Sequence, residues 1–157
     1  MPPALLFDIS QIDLTKVEYD RNAVLEHNPQ NFEMQQLDGI VWHSVDPCRI
    51  IGFKDVTDNE FWIRGHIPGR PLMPGVIMIE AAAQLASFYV KKIKEAKGFV
   101  GFAGIESAKF RQTVVPGQRL YLIGEMTKYT PRMFGCAVQG IVDGNMVFET
   151  VVSGIRV

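Results

Sequence analysis

Little in this sequence points to metals, disulfides or nucleic acid. Among 157 residues there are 2 cysteines and 3 histidines. Cys48 and Cys136 stand far apart, form no Cys-x-x-Cys, and read as small core or strand residues rather than a bridge or metal ligands. His27, His43 and His66 show no metal-ligand spacing, so no metal is expected. The 16 basic and 17 acidic residues nearly cancel to a net charge of -1, which gives no field for a polyanion. No nucleic-acid motif, internal repeat or low-complexity stretch appears. Residues 1–10 have neither a basic start nor a long apolar core, so no secretory signal is expected and the cytoplasm is the default location.

What is present is an ordinary core-forming composition, 47% hydrophobic and 21% charged, which predicts a single domain over residues 1–157. The stretch 72–90 would raise any hydropathy window. Pro74 interrupts it, and Glu80 near its middle would cost about 2.5–3.5 kcal/mol on insertion scales. It is therefore expected to be a buried helix rather than a membrane span.

The most informative stretch is Gly65-His66-Ile67-Pro68-Gly69-Arg70-Pro71-Leu72-Met73-Pro74-Gly75-Val76-Ile77-Met78-Ile79-Glu80. Pro68, Pro71 and Pro74 fix φ and keep the residues before them out of the helical region, which predicts a stiff loop up to Pro74. Residues 76–90 are apolar almost throughout, as expected of a helix wrapped on all sides. Glu80 is their only formal charge, and burying a carboxylate is costly enough to make it a functional candidate. Gln84, four residues on, shares its helical face and is placed to orient it. The first turn at Gly75 leaves backbone N–H groups without helical partners, able to polarise a carbonyl oxygen. Each part also has a plainer reading: a lone loop histidine is usually solvated, a buried acid is often a structural hydrogen-bond partner, and a Pro/Gly loop is often only a rigid turn.

Along the chain, residues 15–26 are expected to form a short helix and 28–34 a polar connection into a first strand over 38–44. Residues 49–56 and 59–64 read as a strand pair about the Thr57-Asp58-Asn59 turn. After the long helix, 91–97 reads as a charged, solvated end stopped by Gly98. Strands are then predicted over 99–114, 118–128, 133–141 and 145–157, the last two joined by Asp143-Gly144. Strands wrapped around one long helix give an α+β architecture.

With Glu80-Ala81-Ala82-Ala83-Gln84, Phe102-Ala103-Gly104-Ile105-Glu106, Ala108-Lys109-Phe110-Arg111, Val114-Val115-Pro116-Gly117 and Val142-Asp143-Gly144, the chain closely resembles the FabZ-type 3-hydroxyacyl-[acyl carrier protein] dehydratases. The resemblance spans residues 38–155 and implies a hot-dog fold, an antiparallel sheet wrapped around one central helix. It implies that His66 removes a proton from C2 of a (3R)-3-hydroxyacyl thioester while Glu80 protonates the departing C3 hydroxyl. Gly75 would then supply the carbonyl's donor, and Gln84 would support the acid. Neither metal nor redox cofactor is implied. Ile67, Met73, Ile77, Phe99 and Phe102 fall at the substrate tunnel, and Arg70, Lys109, Arg111, Lys128 and Arg132 are candidates to meet an acidic acyl carrier protein bearing the phosphopantetheine-linked substrate. The resemblance also implies a homodimer in which His66 of one chain meets Glu80 of the other, three dimers often forming a hexamer.

Residues 1–36 are a divergent segment. Where the family has Leu-Pro-His-Arg-Tyr-Pro-Phe-Leu-Leu-Val-Asp-Arg, this chain has Asn28-Pro29-Gln30-Asn31-Phe32-Glu33-Met34-Gln35-Gln36-Leu37-Asp38-Gly39, which clearly keeps only Pro29 and Asp38. The aromatic that gates the tunnel in some members falls near Gly101. Two other readings stand beside the dehydratase: a non-catalytic acyl-binding hot-dog subunit, and a hot-dog acyl thioesterase.

Overall fold

The structure, a computed structural model, describes residues 3–157. Its framework is one antiparallel sheet built from β1 Gly39–Ser44, β2 Arg49–Asp55, β3 Val100–Phe110, β4 Arg119–Tyr129, β5 Met133–Val142 and β6 Asn145–Arg156, in the order β1-β2-β4-β5-β6-β3. Against its concave face lies the helix α2, Gly75–Phe88, extended by a π-helical turn over Tyr89–Ile93. This is the hot-dog arrangement.

Local chemistry explains the joints. The β5–β6 hairpin turns on Asp143 and Gly144, whose φ values of 49° and 78° are the positive pair a two-residue hairpin with the native twist requires. α2 starts immediately after Pro74, which cannot donate a helical hydrogen bond but accepts from Ile77 N and Met78 N at 3.0 and 3.2 Å. Met78, Ile79, Ala81, Ala82, Leu85, Ala86 and Phe88 pack it against Ile50, Leu120, Leu122, Val138 and Phe148 on the inner face of the sheet. A second apolar layer lies on the outer face. There Phe7, Val41, Ile51, Phe53, Ile123, Ile141 and Met146 form a cluster joined by Leu6, Ile9 and Ile12. The chain before β1 thus crosses the sheet as a strap. Gln139 clasps it, accepting from Leu6 N at 2.9 Å and donating to Ala4 O at 3.0 Å.

Four expectations need correction. The helix expected over 15–26 is only α1, Arg21–His27. Asp13 folds a turn onto Thr15, and Tyr19 instead bridges Ile40 on the free edge of β1, so the helix must wait for the Asp20 cap on Ala23 N. Residues 59–64 are turns rather than a strand, because β2 already has β1 on one side and β4 on the other. The charged end after α2 is not simply solvated: Lys91 and Lys92 are half-buried, and Lys92 Nζ lies 5.7 Å from the Tyr19 ring centre. Finally, α2 is not wrapped on all sides. Val76 is 70% exposed, and Glu80, Ala83 and Ser87 are half-buried, which leaves one open stripe along the helix.

The two sheet edges differ. β1 is covered by Glu18 and Tyr19, whose N–H groups donate to Ile40 O. Among the described residues β3 pairs only with β6, which leaves its outward groups bare. Phe102, Ile105 and Phe110 on it are 48–49% exposed. Such an edge is a template for another strand.

Candidate functional site

The loop carrying His66 is anchored at both ends. Trp62 is buried and its carbonyl accepts from His66 N at 2.8 Å, while buried Met73 donates its N–H to Val114 O at 2.8 Å. Between these anchors residues 64–71 are exposed, the His66 ring among them. Its ring nitrogens have no partner among the described residues. The positive φ of Gly69, 83°, lets the chain turn between Pro68 and Arg70.

Glu80 stands on α2 at the edge of the open stripe. Gln84 Nε2 donates to Glu80 Oε1 at 2.9 Å and to Met34 O at 2.6 Å. Gln84 Oε1 in turn accepts from Gln36 N at 2.8 Å and Leu37 N at 3.1 Å. An amide has two donors and two acceptor positions, so Gln84 is fully used. It ties the acid to the segment 34–37, which leads into β1. Asn28 adds a further tie, donating to the Gln84 carbonyl at 3.0 Å.

Glu80 lines a cavity of about 70 Å³ whose other walls include Gln30, Ala83, Val100, Gly101, Phe102 and Phe134. His66 is not among its lining residues. Within one chain, therefore, the two reacting groups proposed from sequence do not share this cavity.

At the start of α2, Gly75 N–H has no acceptor among the described residues, as its position in the first turn requires. The Phe110 ring covers this glycine. A Cβ there would lie 2.8 Å from two ring carbons, so a larger residue would have to displace the ring. Among the tunnel candidates, Phe102 lines the Glu80 cavity, Met73 is buried in the core, and Ile77 packs on the core's margin. Ile67 is 37% exposed beside His66, and Phe99 is 60% exposed with its ring against Gly101.

The five candidate cations fall in two sets. Arg70, Lys109 and Arg111 lie near the C-terminal end of β3, with Arg111 already paired to Glu149. Lys128 and Arg132 lie on the β4–β5 hairpin, and Arg132 O accepts from Arg156 N, whose residue pairs with Val100 at the start of β3. The strand separates the sets by roughly 30 Å at ~3.3 Å per residue.

Sequence reasoning assigned no role to Gln30, Asn28 or Phe110. The amide-rich run 28–36, which departs from the motif of the resembled family, is the available signal for the first two. Asp38 anchors the end of that run: its carboxylate accepts from Arg21 and from Asp55 N, each at 2.8 Å. Burial raises its pKa above the usual carboxylate value, against the lowering effect of Lys54 and Arg21. No cluster of metal-ligating side chains occurs among the described residues, and no described helix is long and apolar enough to cross a membrane.

Comparison with known proteins gives the family and supports the fold. Residues 28–151 match the model of the FabA-like domain. The chain is 34% identical over 140 residues to a 3-hydroxyacyl-[acyl-carrier-protein] dehydratase FabZ of Desulfotalea psychrophila, covering 87% of this chain and 92% of that one. It is 42% identical over 123 residues to the FabZ of Acetivibrio thermocellus, covering 77% and 83%. Among solved structures, the dehydratase heterocomplex ApeI:P from Xenorhabdus doucetiae superposes with a TM-score of 0.72 at 14% identity, over 85% of this chain and 90% of that one, a likeness of fold. The chain belongs to the FabA-like family, with the FabZ 3-hydroxyacyl-[acyl-carrier-protein] dehydratases as its relatives.

Proposed function

We propose that this chain is a hydro-lyase that converts a (3R)-3-hydroxyacyl thioester carried on acyl carrier protein into the trans-2-enoyl thioester and water, in fatty acid or related acyl-chain biosynthesis. The observation that carries the reading is Glu80: one carboxyl in an apolar helix, oriented by a saturated amide, at the wall of a cavity. His66 takes the C2 proton, the C2=C3 bond forms, and the C3–O bond breaks as Glu80 delivers its proton to the departing oxygen. Water leaves. His66 then holds a proton and Glu80 has lost one, so transfer between them through solvent resets the site. The negative charge that builds on the thioester oxygen is met by Gly75 N–H at the start of α2.

The pair requires two copies, and the open surfaces support that. The His66 loop lies at the C-terminal end of β3, since Met73 bonds Val114 and Gly75 lies under Phe110. The Glu80 cavity lies at the N-terminal end, where Val100, Gly101 and Phe102 wall it. Antiparallel pairing of two bare β3 edges around a two-fold axis would carry each loop to the other chain's cavity. It would also bring Arg70 and Lys109 of one copy toward Lys128 and Arg132 of the other. Four cations at one mouth then suit the acidic surface and phosphate arm of a carrier protein. Two unbridged cysteines suit a reducing, cytoplasmic setting.

The test is hydration of a crotonyl thioester, followed by loss of the conjugated enoyl absorbance, in wild type, His66→Ala and Glu80→Gln. Wild type is expected to hydrate it, and each variant to lose at least roughly a hundredfold in rate. Absence of hydration at every acyl length, or full rate in both variants, would sink the reading. Release of free thiol instead would mark a thioesterase.

A further inference from the structure

With Gln84 saturated, one amide at the Glu80 cavity remains uncommitted. Gln30 lines that cavity, its carbonyl oxygen is buried, and its side chain makes no hydrogen bond to any described residue. Leaving such an acceptor dry and unpartnered is costly, and in a reaction cavity the natural partner is the substrate. The segment that carries it is pinned on both sides. Before it, Asn28 donates to Gln84 O at 3.0 Å; after it, Met34 O accepts from Gln84 Nε2 at 2.6 Å. The hydroxyl-bearing residues of the cavity, Ser87 and Ser153, are less suited. Ser153 Oγ is turned toward the β3 backbone, donating to Gly104 O at 3.4 Å, and Ser87 stands about 10 Å further along α2 from Glu80.

We propose that Gln30 binds the 3-hydroxyl of the substrate, its Oε1 accepting the hydroxyl hydrogen so that an oxygen lone pair faces Glu80. This rests on the dehydratase reading of the site. A hydroxyl has one hydrogen and two lone pairs, and it leaves only when a lone pair takes a proton. Fixing the hydrogen on Gln30 fixes the lone pair as well. After C3–O cleavage the oxygen is a water molecule, one hydrogen on Gln30 and the other on the carboxylate of Glu80. In the hydration direction the same two groups aim the attacking water at C3.

The experiment compares binding of 3-hydroxybutyryl-pantetheine and butyryl-pantetheine, by calorimetry, to full-length His66→Ala protein with and without Gln30→Met. Removing the base prevents turnover; methionine keeps the length but not the hydrogen bond. His66→Ala alone is expected to prefer the hydroxyl ligand by roughly tenfold, and the double variant to lose that preference with its melting temperature unchanged. On the wild-type background, Gln30→Met should lower kcat for crotonyl hydration by a similar factor with little change in KM. An equal preference in both proteins, or no preference in either, overturns the proposal while crotonyl hydration by wild type separately decides the dehydratase reading. If Gln30→Met fails to fold, Gln30→Asn, whose amide falls a methylene short, must lose the preference in its place.

Discussion

Gln84 holds Glu80 with one amide hydrogen at 2.9 Å and holds the chain at Met34 with the other at 2.6 Å. One side chain therefore positions the acid and fastens the divergent segment to α2. Replacing it with leucine leaves Gln36 N and Leu37 N, both in buried residues, without partners. Gln84→Leu is expected to cost roughly 2–5 kcal/mol in urea denaturation and to lower the hydration rate as well. A loss under about 1 kcal/mol would show that these groups find other partners.

If His66 and Glu80 act across two copies, two dead variants should rescue each other. In a heterodimer of His66→Ala and Glu80→Gln, one site carries both lesions and the other carries none. Random mixing of equal amounts should restore about a quarter of wild-type activity. A mixture as inactive as its components would argue for a site within one chain. Ile105→Lys, which puts a charge on the exposed face of β3, should abolish the rescue and shift the protein to monomer in sedimentation.

Gly75 and Phe110 form a second dependent pair. A methyl at residue 75 would meet the Phe110 ring at 2.8 Å, and that ring is stacked on Phe148 with centroids 6.4 Å apart. Gly75→Ala is therefore expected to destabilise by about 1–3 kcal/mol through overpacking. In Phe110→Ala the same change should cost less than about 1 kcal/mol, so a double-mutant cycle of chemical denaturation measures the coupling. An equal penalty in both backgrounds would remove Phe110 as the cause.

Burial pushes the Cys136 thiol up to about 12 from 9.0, with the backbone hydrogen bond of Glu125 opposing. Below about pH 9 the thiol is protonated both folded and unfolded, and it adds no pH slope. Above that, the unfolded chain releases a proton that the folded chain keeps, so stability falls by about 1.4 kcal/mol per pH unit until near pH 12. Cys136→Ala should flatten this part of the stability profile. An unchanged slope would assign it to other groups.

Periodicity made most of the frame legible. The predicted strands 118–128, 133–141 and 145–157 lie within a residue of β4, β5 and β6 at each end, because alternating burial and the Asp143-Gly144 turn are local signals. The turns at 59–64 were misread, since Phe61, Trp62 and Ile63 look like strand residues and only the partners already bonded to β2 forbid it. Of the candidate site, the Glu80–Gln84 contact followed from helical spacing. The roles of Asn28 and Phe110 did not, because each acts through residues more than 30 positions away. The open stripe on α2 was hidden for another reason: an apolar helix reads alike whether the cover comes from its own chain or from a second one.

The strap on the outer face also has a consequence for folding. Leu6 and Gln139 are 133 positions apart, and the apolar surface that receives Phe7 is made jointly by β1, β2, β4, β5 and β6. That surface does not exist until the sheet is assembled, so closing this longest loop comes last and contributes little to the rate-limiting nucleus. The strap should accordingly be the first part to open under native conditions, and its amide hydrogens, Leu6 N above all, should exchange with solvent well ahead of those in β4 and β5.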